Sequence, residues 1–360
     1  MKIMHIANCL RGGGLQNFLV SLLSEQSNNG HDVYLVVVER YDYDYCQYLE
    51  DKLTNNRVKV IRLNKNRGSK VSLIRTIFKC RKIVSECSPD IINTHGGMSH
   101  VYGALCVLRK SIPHVLTIHN APEIWPLYIK KLCKNRPLIF CSQSAYDMRV
   151  QESYMMATID NGISRDIVCS NNIVDLRKEI GLSNNDKVIV LVGSLRLQKN
   201  YEFLKKIVDC SNEPSWHFCI CGGNYGYGYV SPSVFKGYER NIHLLGLRSD
   251  VSAIENGADL FLSCATFEGL PIAVLEAYFN GIPCVLSPIP QHRNIGNVSY
   301  VWIPNDFNPE SFVISIKNAL NNRKNPDFIY ESRKKQIEKY SISLTCKKYL
   351  AFYQRILNEK

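Results

Sequence analysis

Short runs rich in β-branched and aromatic residues alternate along this chain with longer amphipathic segments. The runs are KIMHIA (2–7), VYLVVV (33–38), VKVIRL (58–63), DIINTH (90–95), HVLTIH (114–119) and LIFCS (138–142). After a polar stretch they resume as VIVLVGS (188–194), HFCICGG (217–223), IHLLG (242–246), LFLSCA (260–265) and PCVLS (283–287). Between them apolar positions recur at helical spacing: Leu15, Phe18, Leu19 and Leu22 fall at i, i+3, i+4 and i+7. Strands fed by helices predict βαβ units, whose parallel sheets are covered on both faces. The polar stretch 163–186, with Ser170, Asn171 and Asn172 and then Ser183, Asn184 and Asn185, separates two sets of strands and reads as a linker holding a short helix. The expected architecture is α/β, two doubly wound Rossmann-like domains facing a central cleft, at 1–165 and 166–340, followed by an amphipathic helix within 341–360. In such sheets ligands sit beyond the carboxyl ends of the strands.

Length agrees with this division, because 360 residues is enough for two domains of ordinary size. Apolar residues at 45% and charged residues at 21% describe a globular chain and argue against disorder. No apolar run approaches the ~18–20 residues that span a bilayer. The opening MKIMHIANCLRGGG has no cleavage site of the signal-peptide kind, so a cytoplasmic location is expected. Lys and Arg number 44 against 32 Asp and Glu, a net charge of +12, which calls for an acidic partner: nucleic acid, anionic lipid or a phosphate-bearing substrate. Fourteen Cys are scattered through apolar stretches without a C-x-x-C pair. Buried reduced thiols are expected rather than a zinc or redox centre.

The segment 264–284, CATFEGLPIAVLEAYFNGIPC, carries the most chemistry. Pro271 suits the first turn of a helix, and Gly281 with Pro283 suits its end. That helix is apolar on every face except at Glu276, so the carboxylate is buried and needs a partner, either sugar hydroxyls or a basic side chain. Glu268 lies just ahead of the helix, and the amides of Gly269, Leu270 and Ile272 at its start suit a phosphate.

This stretch resembles the large family of retaining glycosyltransferases that includes sucrose synthase-like and bacterial mannosyl- and glucosyltransferases, whose signature is two glutamates separated by seven residues. The resemblance continues in order through Gly12, Gly13 and Gly14, TIHN (117–120), NGI (161–163), VGSLRLQKN (192–200), LGLRSDV (245–251) and the C-terminal KKYLAFYQRIL. It implies the GT-B fold, with the last helix packing back on the first domain. It implies a hexosyl-type transferase (EC 2.4) whose co-substrate is a nucleotide sugar, with no cofactor and no metal. Glu276 would hold the ribose, and Glu268 would contact the donor sugar near the reacting carbon. Gly269 and Leu270 would assist the sugar or its phosphates through their amides. Lys199 would neutralise the departing diphosphate, Gly13 and Gly14 would approach the phosphates from the other domain, and His119 would lie near the transferred sugar. The family's arginine after the glycine of its VG-R-L segment is replaced here by Ser194, and Arg196 stands two residues on as the substitute. Retention would need no covalent intermediate, the departing diphosphate itself helping to deprotonate the acceptor. Asp42 and Asp44 read as surface residues of a tyrosine-rich loop and not as a metal motif. His95, which ends a strand before Gly96 and Gly97, reads as structural. The donor base is open among UDP, GDP and ADP, with Leu247, Arg248 and Glu239 nearest the place where it would be read.

The segment 125–136, WPLYIKKLCKNR, mixes Trp125, Leu127, Tyr128, Ile129 and Leu132 with Lys130, Lys131, Lys134 and Arg136. Such mixing suits peripheral contact with an anionic membrane, and equally a solvated lysine face over a buried apolar stripe; RTIFKCRK (75–82) would extend the first reading. A lipid-linked saccharide acceptor at the inner face of the cell membrane, in capsule, O-antigen or exopolysaccharide synthesis, is the expectation for the family. Two rivals come from other classes. An NAD-dependent oxidoreductase would use the first βα turn, but Asn17 occupies the third glycine position of its fingerprint. A basic nucleic-acid-binding protein would explain the charge, yet no nucleic-acid module is present. A catalytically dead relative is suggested by Ser194 and opposed by the intact pair Glu268 and Glu276.

Overall fold

The structure, a computed structural model, describes residues 1–11, 13–41, 44–66, 70–119, 125–149, 152–164, 172–223, 229–295 and 299–359. Two compact units divide the chain: Met1–Gly162 together with Ile342–Lys360, and Ile163–Ser341. The units part at 162/163 and 341/342, three residues ahead of the polar break read at 165/166 and one after that at 340/341.

The first unit holds seven parallel strands, β1 (Lys2–Ala7), β2 (Asp32–Glu39), β3 (Lys59–Lys65), β4 (Ile91–His95), β5 (His114–Ile118), β6 (Leu138–Phe140) and β7 (Met156–Thr158). Their order in the sheet is β3-β2-β1-β4-β5-β6-β7. The second unit holds six, β8 (Lys187–Val192), β9 (Trp216–Cys221), β10 (Ile242–Gly246), β11 (Leu260–Ser263), β12 (Cys284–Leu286) and β13 (Val301–Trp302), in the order β10-β9-β8-β11-β12-β13. Each chain path runs outward in one direction, returns, and runs outward in the other. The switch points fall between β1 and β4 and between β8 and β11, where the loops diverge and leave a crevice for a ligand.

Burial explains the strand composition. Every residue of β9 and of β11 is buried, as expected of central parallel strands with helices on both faces. The core of the second unit gathers Leu191, Leu204, Phe218, Leu260, Val285 and Phe312. In the first unit Met4, Val36, Ile92 and Tyr102 form one such cluster. The final helix, Ile342–Asn358, packs on the helix Gly14–Asn28 and buries Tyr349 and Tyr353 completely. Thirteen cysteines lie among the described residues, and the ten that are buried serve as small apolar core residues. Among the described residues no helix is long and apolar enough to cross a membrane.

The structure narrows the two readings of 125–136. The helix there is short, Leu127–Leu132, and Trp125 and Ile129 are buried, so neither is a surface anchor. Leu127, Tyr128 and Leu132 are exposed. Asp44 opens the helix Asp44–Asn55 as an exposed first-turn acid, and Asp42 lies outside the described residues.

Candidate active site

In the second unit the loops after β8 and β11 bring Lys199 and Glu268 together. Lys199 ends a 3₁₀ turn, Leu197–Lys199, and Thr266 N donates to Gln198 O at 2.9 Å, tying the two loops by their backbones. Lys199 Nζ donates to Glu268 Oε1 at 2.6 Å, and Gln198 Nε2 lies 3.4 Å from Oε2. Glu268 is 8% exposed. A carboxylate so enclosed calls for such a partner. Gly193 makes room for the lysine: a Cβ built there would stand 2.6 Å from Lys199 Cε, and its φ of +155° is one that side chains rarely adopt. Tyr201 donates to Gly193 O at 3.0 Å and fixes the turn from the other side.

Glu276 lies on the helix Ile272–Phe279, which begins after Pro271 and is buried at all but one position, Ala273. The helix end is held by Arg333, fully buried, which donates to Tyr278 O at 2.7 Å and covers the Tyr278 ring at 4.3 Å. A guanidinium at that end complements the partial negative charge of the helix C-terminus. Glu276 itself is 7% exposed. A second acid that sequence reasoning missed, Glu255, lies behind it at 1% exposure, and Asn280 Nδ2 donates to its Oε2 at 2.6 Å. Burial, with the neighbouring charge of Glu276 adding, pushes the Glu255 carboxyl well above the usual range, and the bond from Asn280 opposes them. Gly269 is buried and Leu270 partly so, in the short bend between Glu268 and Pro271.

Ser194 and Arg196 follow β8 directly. Arg196 forms an isolated bridge with Tyr229, and its Nε is buried without a hydrogen-bond partner among the described residues. Arg248, placed by the sequence near the base, is already engaged: it pairs with Glu179 at 2.5 Å and Asp250 at 2.8 Å. Glu239 is exposed and accepts from Gly237 N at 2.9 Å. A cavity of about 530 Å³ elsewhere in this unit is lined by Glu255, Asn280, Phe279, Arg323, Asp327 and Tyr330 among others, and neither Lys199 nor Glu268 reaches it.

The first unit contributes a different arrangement. Gly13, at φ +129°, is the N-cap of the helix Gly14–Asn28, and Gly14 is its exposed first residue. Gly12 and Asn120 lie outside the described residues. His119 follows β5 and is 8% exposed; its Nε2 stands 2.9 Å from His95 Nδ1. Phe18 packs against it with ring centroids 5.6 Å apart. Burial pushes His119 down to about 3, which leaves a neutral imidazole at pH 7. His95, read from the sequence as a structural strand end, is therefore the direct neighbour of a candidate site residue. The signal lay in the period of two: Asn93 and His95 on β4 and Thr117 and His119 at the end of β5 are polar positions on one face of apolar strands.

Comparison with known proteins decides the class. The model of glycosyl transferases group 1 matches residues 172–339, and that of glycosyltransferase family 4 matches residues 12–189. The chain belongs to this glycosyltransferase family. The family membership sets aside the oxidoreductase and the nucleic-acid-binding readings. One relative in the family, an Escherichia coli UDP-Gal:alpha-D-GlcNAc-diphosphoundecaprenol alpha-1,3-galactosyltransferase, is 26% identical over 320 residues, 80% of each chain. A second, the Campylobacter jejuni N,N'-diacetylbacillosaminyl-diphospho-undecaprenol alpha-1,3-N-acetylgalactosaminyltransferase, is 20% identical over 77% of this chain and 78% of its own. The solved structure of Anabaena HepE in complex with UDP and glucose superposes with a TM-score of 0.81 at 16% identity over 98% of each chain. Glycosyltransferase neighbours of this kind give the fold as GT-B, with its two parallel-sheet α/β domains.

Proposed function

We propose that this glycosyltransferase is a retaining, metal-independent hexosyltransferase that moves a sugar from a nucleotide-sugar donor to a lipid-linked saccharide in bacterial surface polysaccharide synthesis, whether capsule, O-antigen or exopolysaccharide. The observation that carries the reading is the Lys199–Glu268 pair at the switch point of the second sheet, with Glu276 buried in the helix that follows. In this reading the donor's ribose hydroxyls bond the Glu276 carboxylate. The diphosphate draws on Lys199 and on the amides of Gly269 and Leu270, so that charge developing on the leaving group meets a fixed cation. Gly13 and Gly14 contribute backbone amides to the phosphates, Glu268 contacts the donor sugar, and His119 offers its ring to the transferred sugar. Lys199 supplies the positive charge that a metal would otherwise bring. The HepE structure with UDP and glucose and the diphosphoundecaprenol substrates in the names of both relatives support the classes of donor and acceptor.

Peripheral contact with the inner face of the cell membrane is part of the proposal. Phe78 and Leu127 are each 68% exposed, and Ile74, Leu108, Tyr128 and Leu132 are exposed as well. They lie on or beside the helices Lys70–Cys87, Gly97–Cys106 and Leu127–Leu132, which pack in succession, with Arg75, Lys79, Lys82, Lys131 and Lys134 exposed among them. Apolar anchors interleaved with cations suit an anionic lipid surface.

The test is a thermal-shift panel of UDP, GDP, ADP and NAD on the wild type and on Glu276→Ala. A ligand that binds only the folded state raises its stability by mass action, so no acceptor is needed. One nucleoside diphosphate should raise the unfolding temperature and lose that effect in the variant, which names the base. Removing a hydrogen-bonded charged partner of the ribose should weaken binding ~10- to 100-fold. An equal shift in both proteins would overturn the assignment of Glu276.

A further inference from the structure

Three buried histidines of the first unit stand in one continuous hydrogen-bonded chain. Gln26 Oε1, on the helix Gly14–Asn28, lies 2.8 Å from His5 Nε2 on β1. His5 Nδ1 lies 2.9 Å from His95 Nε2 at the end of β4, and His95 Nδ1 lies 2.9 Å from His119 Nε2 after β5. His119 Nδ1, at the far end, is buried and has no partner among the described residues. The rings of His5 and His95 stack with centroids 5.2 Å apart, so the geometry is that of packed core side chains.

A neutral imidazole has one donor and one acceptor nitrogen. In a chain of such rings, the choice at one end therefore sets every proton to the other end. The Gln26 amide is that end. Its carbonyl oxygen, which can only accept, faces His5 Nε2, so His5 must donate from Nε2. His5 Nδ1 is then bare and accepts from His95 Nε2–H. His95 Nδ1 is bare in turn and accepts from His119 Nε2–H.

We infer that Gln26, His5 and His95 are positioning residues that hold His119 in the tautomer with its proton on Nε2, leaving His119 Nδ1 as a bare hydrogen-bond acceptor for a hydroxyl of the transferred sugar. The inference rests on the proposal that His119 faces that sugar. Burial pushes His5 down to about 4 and His95 well below the ordinary histidine value, the latter helped by its histidine neighbours. The chain therefore carries no charge near neutral pH, and tautomer is its remaining variable. Rotating the Gln26 amide would reverse every bond and turn His119 Nδ1 into a donor, unable to accept from a hydroxyl.

The deciding experiment is long-range proton–nitrogen correlation NMR on the full chain labelled with ¹⁵N-histidine, which separates protonated from bare ring nitrogens without any ligand. His5, His95 and His119 should each be protonated on Nε2 and bare on Nδ1. A proton on His119 Nδ1 in the wild type overturns the inference, and because the wild type is used, folding of a variant is not at issue. Gln26→Met removes the acceptor at similar size. It should leave His119 as a tautomer mixture and lower turnover about tenfold, the scale of one lost buried hydrogen-bond partner. A His119 tautomer unchanged in that variant also overturns the inference. Should the wild-type pattern hold while His119→Ala transfers sugar normally, the sugar-facing reading fails and the tautomer chain stands.

Discussion

The two units share one topology and differ in what they enclose at the switch point. Beside β1 and β4 the first unit buries neutral rings, His5, His95 and His119, linked to one another and to an amide. Beyond β8 and β11 the second unit buries charge, Glu268 against Lys199, with Glu276 close by on its helix. Enclosing a neutral hydrogen-bonding group costs little when its bonds are satisfied, whereas a buried ion needs a counter-ion in place. One fold thus offers two kinds of binding surface. The neutral one suits hydroxyls, and the charged one suits a diphosphate and ribose.

Acid should separate the units with the largest effect. His5 and His119 stand at about 4 and about 3, His100 at about 3, and His95 and His114 well below their ordinary value, each chiefly through burial. A folded pKa below the unfolded one means that the unfolded chain binds more protons at low pH. Stability is then fully present above about pH 6.5 and is lost as pH falls toward 4 and 3. At ~1.4 kcal/mol per unit of depression, these groups together remove several kcal/mol from the first unit. The second unit has His292 as its one described histidine at zero exposure. Urea unfolding at pH 7, 5.5 and 4.5 would read the first unit through Trp125, with Trp216 and Trp302 replaced by phenylalanine, and the second through Trp216 and Trp302, with Trp125 replaced. Earlier failure of the second unit would break the contrast.

Next in size is Lys199→Ala, which removes the cation of the charged site. Turnover should fall ~100- to 1,000-fold, as for loss of one preorganised group that stabilises a leaving charge, with donor affinity changing less. Steady-state kinetics beside nucleotide titration separate the two, and a loss confined to affinity would demote Lys199 to a binding residue. Smallest is Arg196→Ala, expected to weaken nucleoside diphosphate binding by no more than ~5-fold, the scale of a partly exposed charge. Calorimetric titration checks it. A loss as large as that of Glu276→Ala would give Arg196 the place of the arginine absent at Ser194.

Much of this was legible along the chain because it depends on local pattern. Eleven strands announce themselves by short, largely apolar runs between helical segments. The two left unread, Met156–Thr158 and Val301–Trp302, are edge strands of three and two residues, too short to show a period. The pair Glu268 and Glu276 could be found because the helix between Pro271 and Gly281 isolates a carboxylate in an apolar sequence. The partners were not legible. Gln26 and His5 are 21 residues apart, His5 and His95 are 90 apart, and Glu255 meets Asn280 from another helix 25 residues away. Their meeting depends on sheet order, which no local pattern encodes. Trp125 and Ile129 were left open between surface and core for a related reason: a helix of six residues has too few turns for its buried side to be told from its exposed one.

Because residues 342–358 belong to the first unit, the usual order of assembly on the ribosome, in which the first-made domain folds first, is turned around. The strands β1 to β7 leave the exit tunnel early, but the helix that brings Tyr349 and Tyr353 to the face carrying Asn93 and Thr117 is made only after the whole second unit. The second unit, one uninterrupted segment from Ile163 to Ser341, can close while the first still waits with an apolar face uncovered. The half that is synthesised first is the half that finishes last.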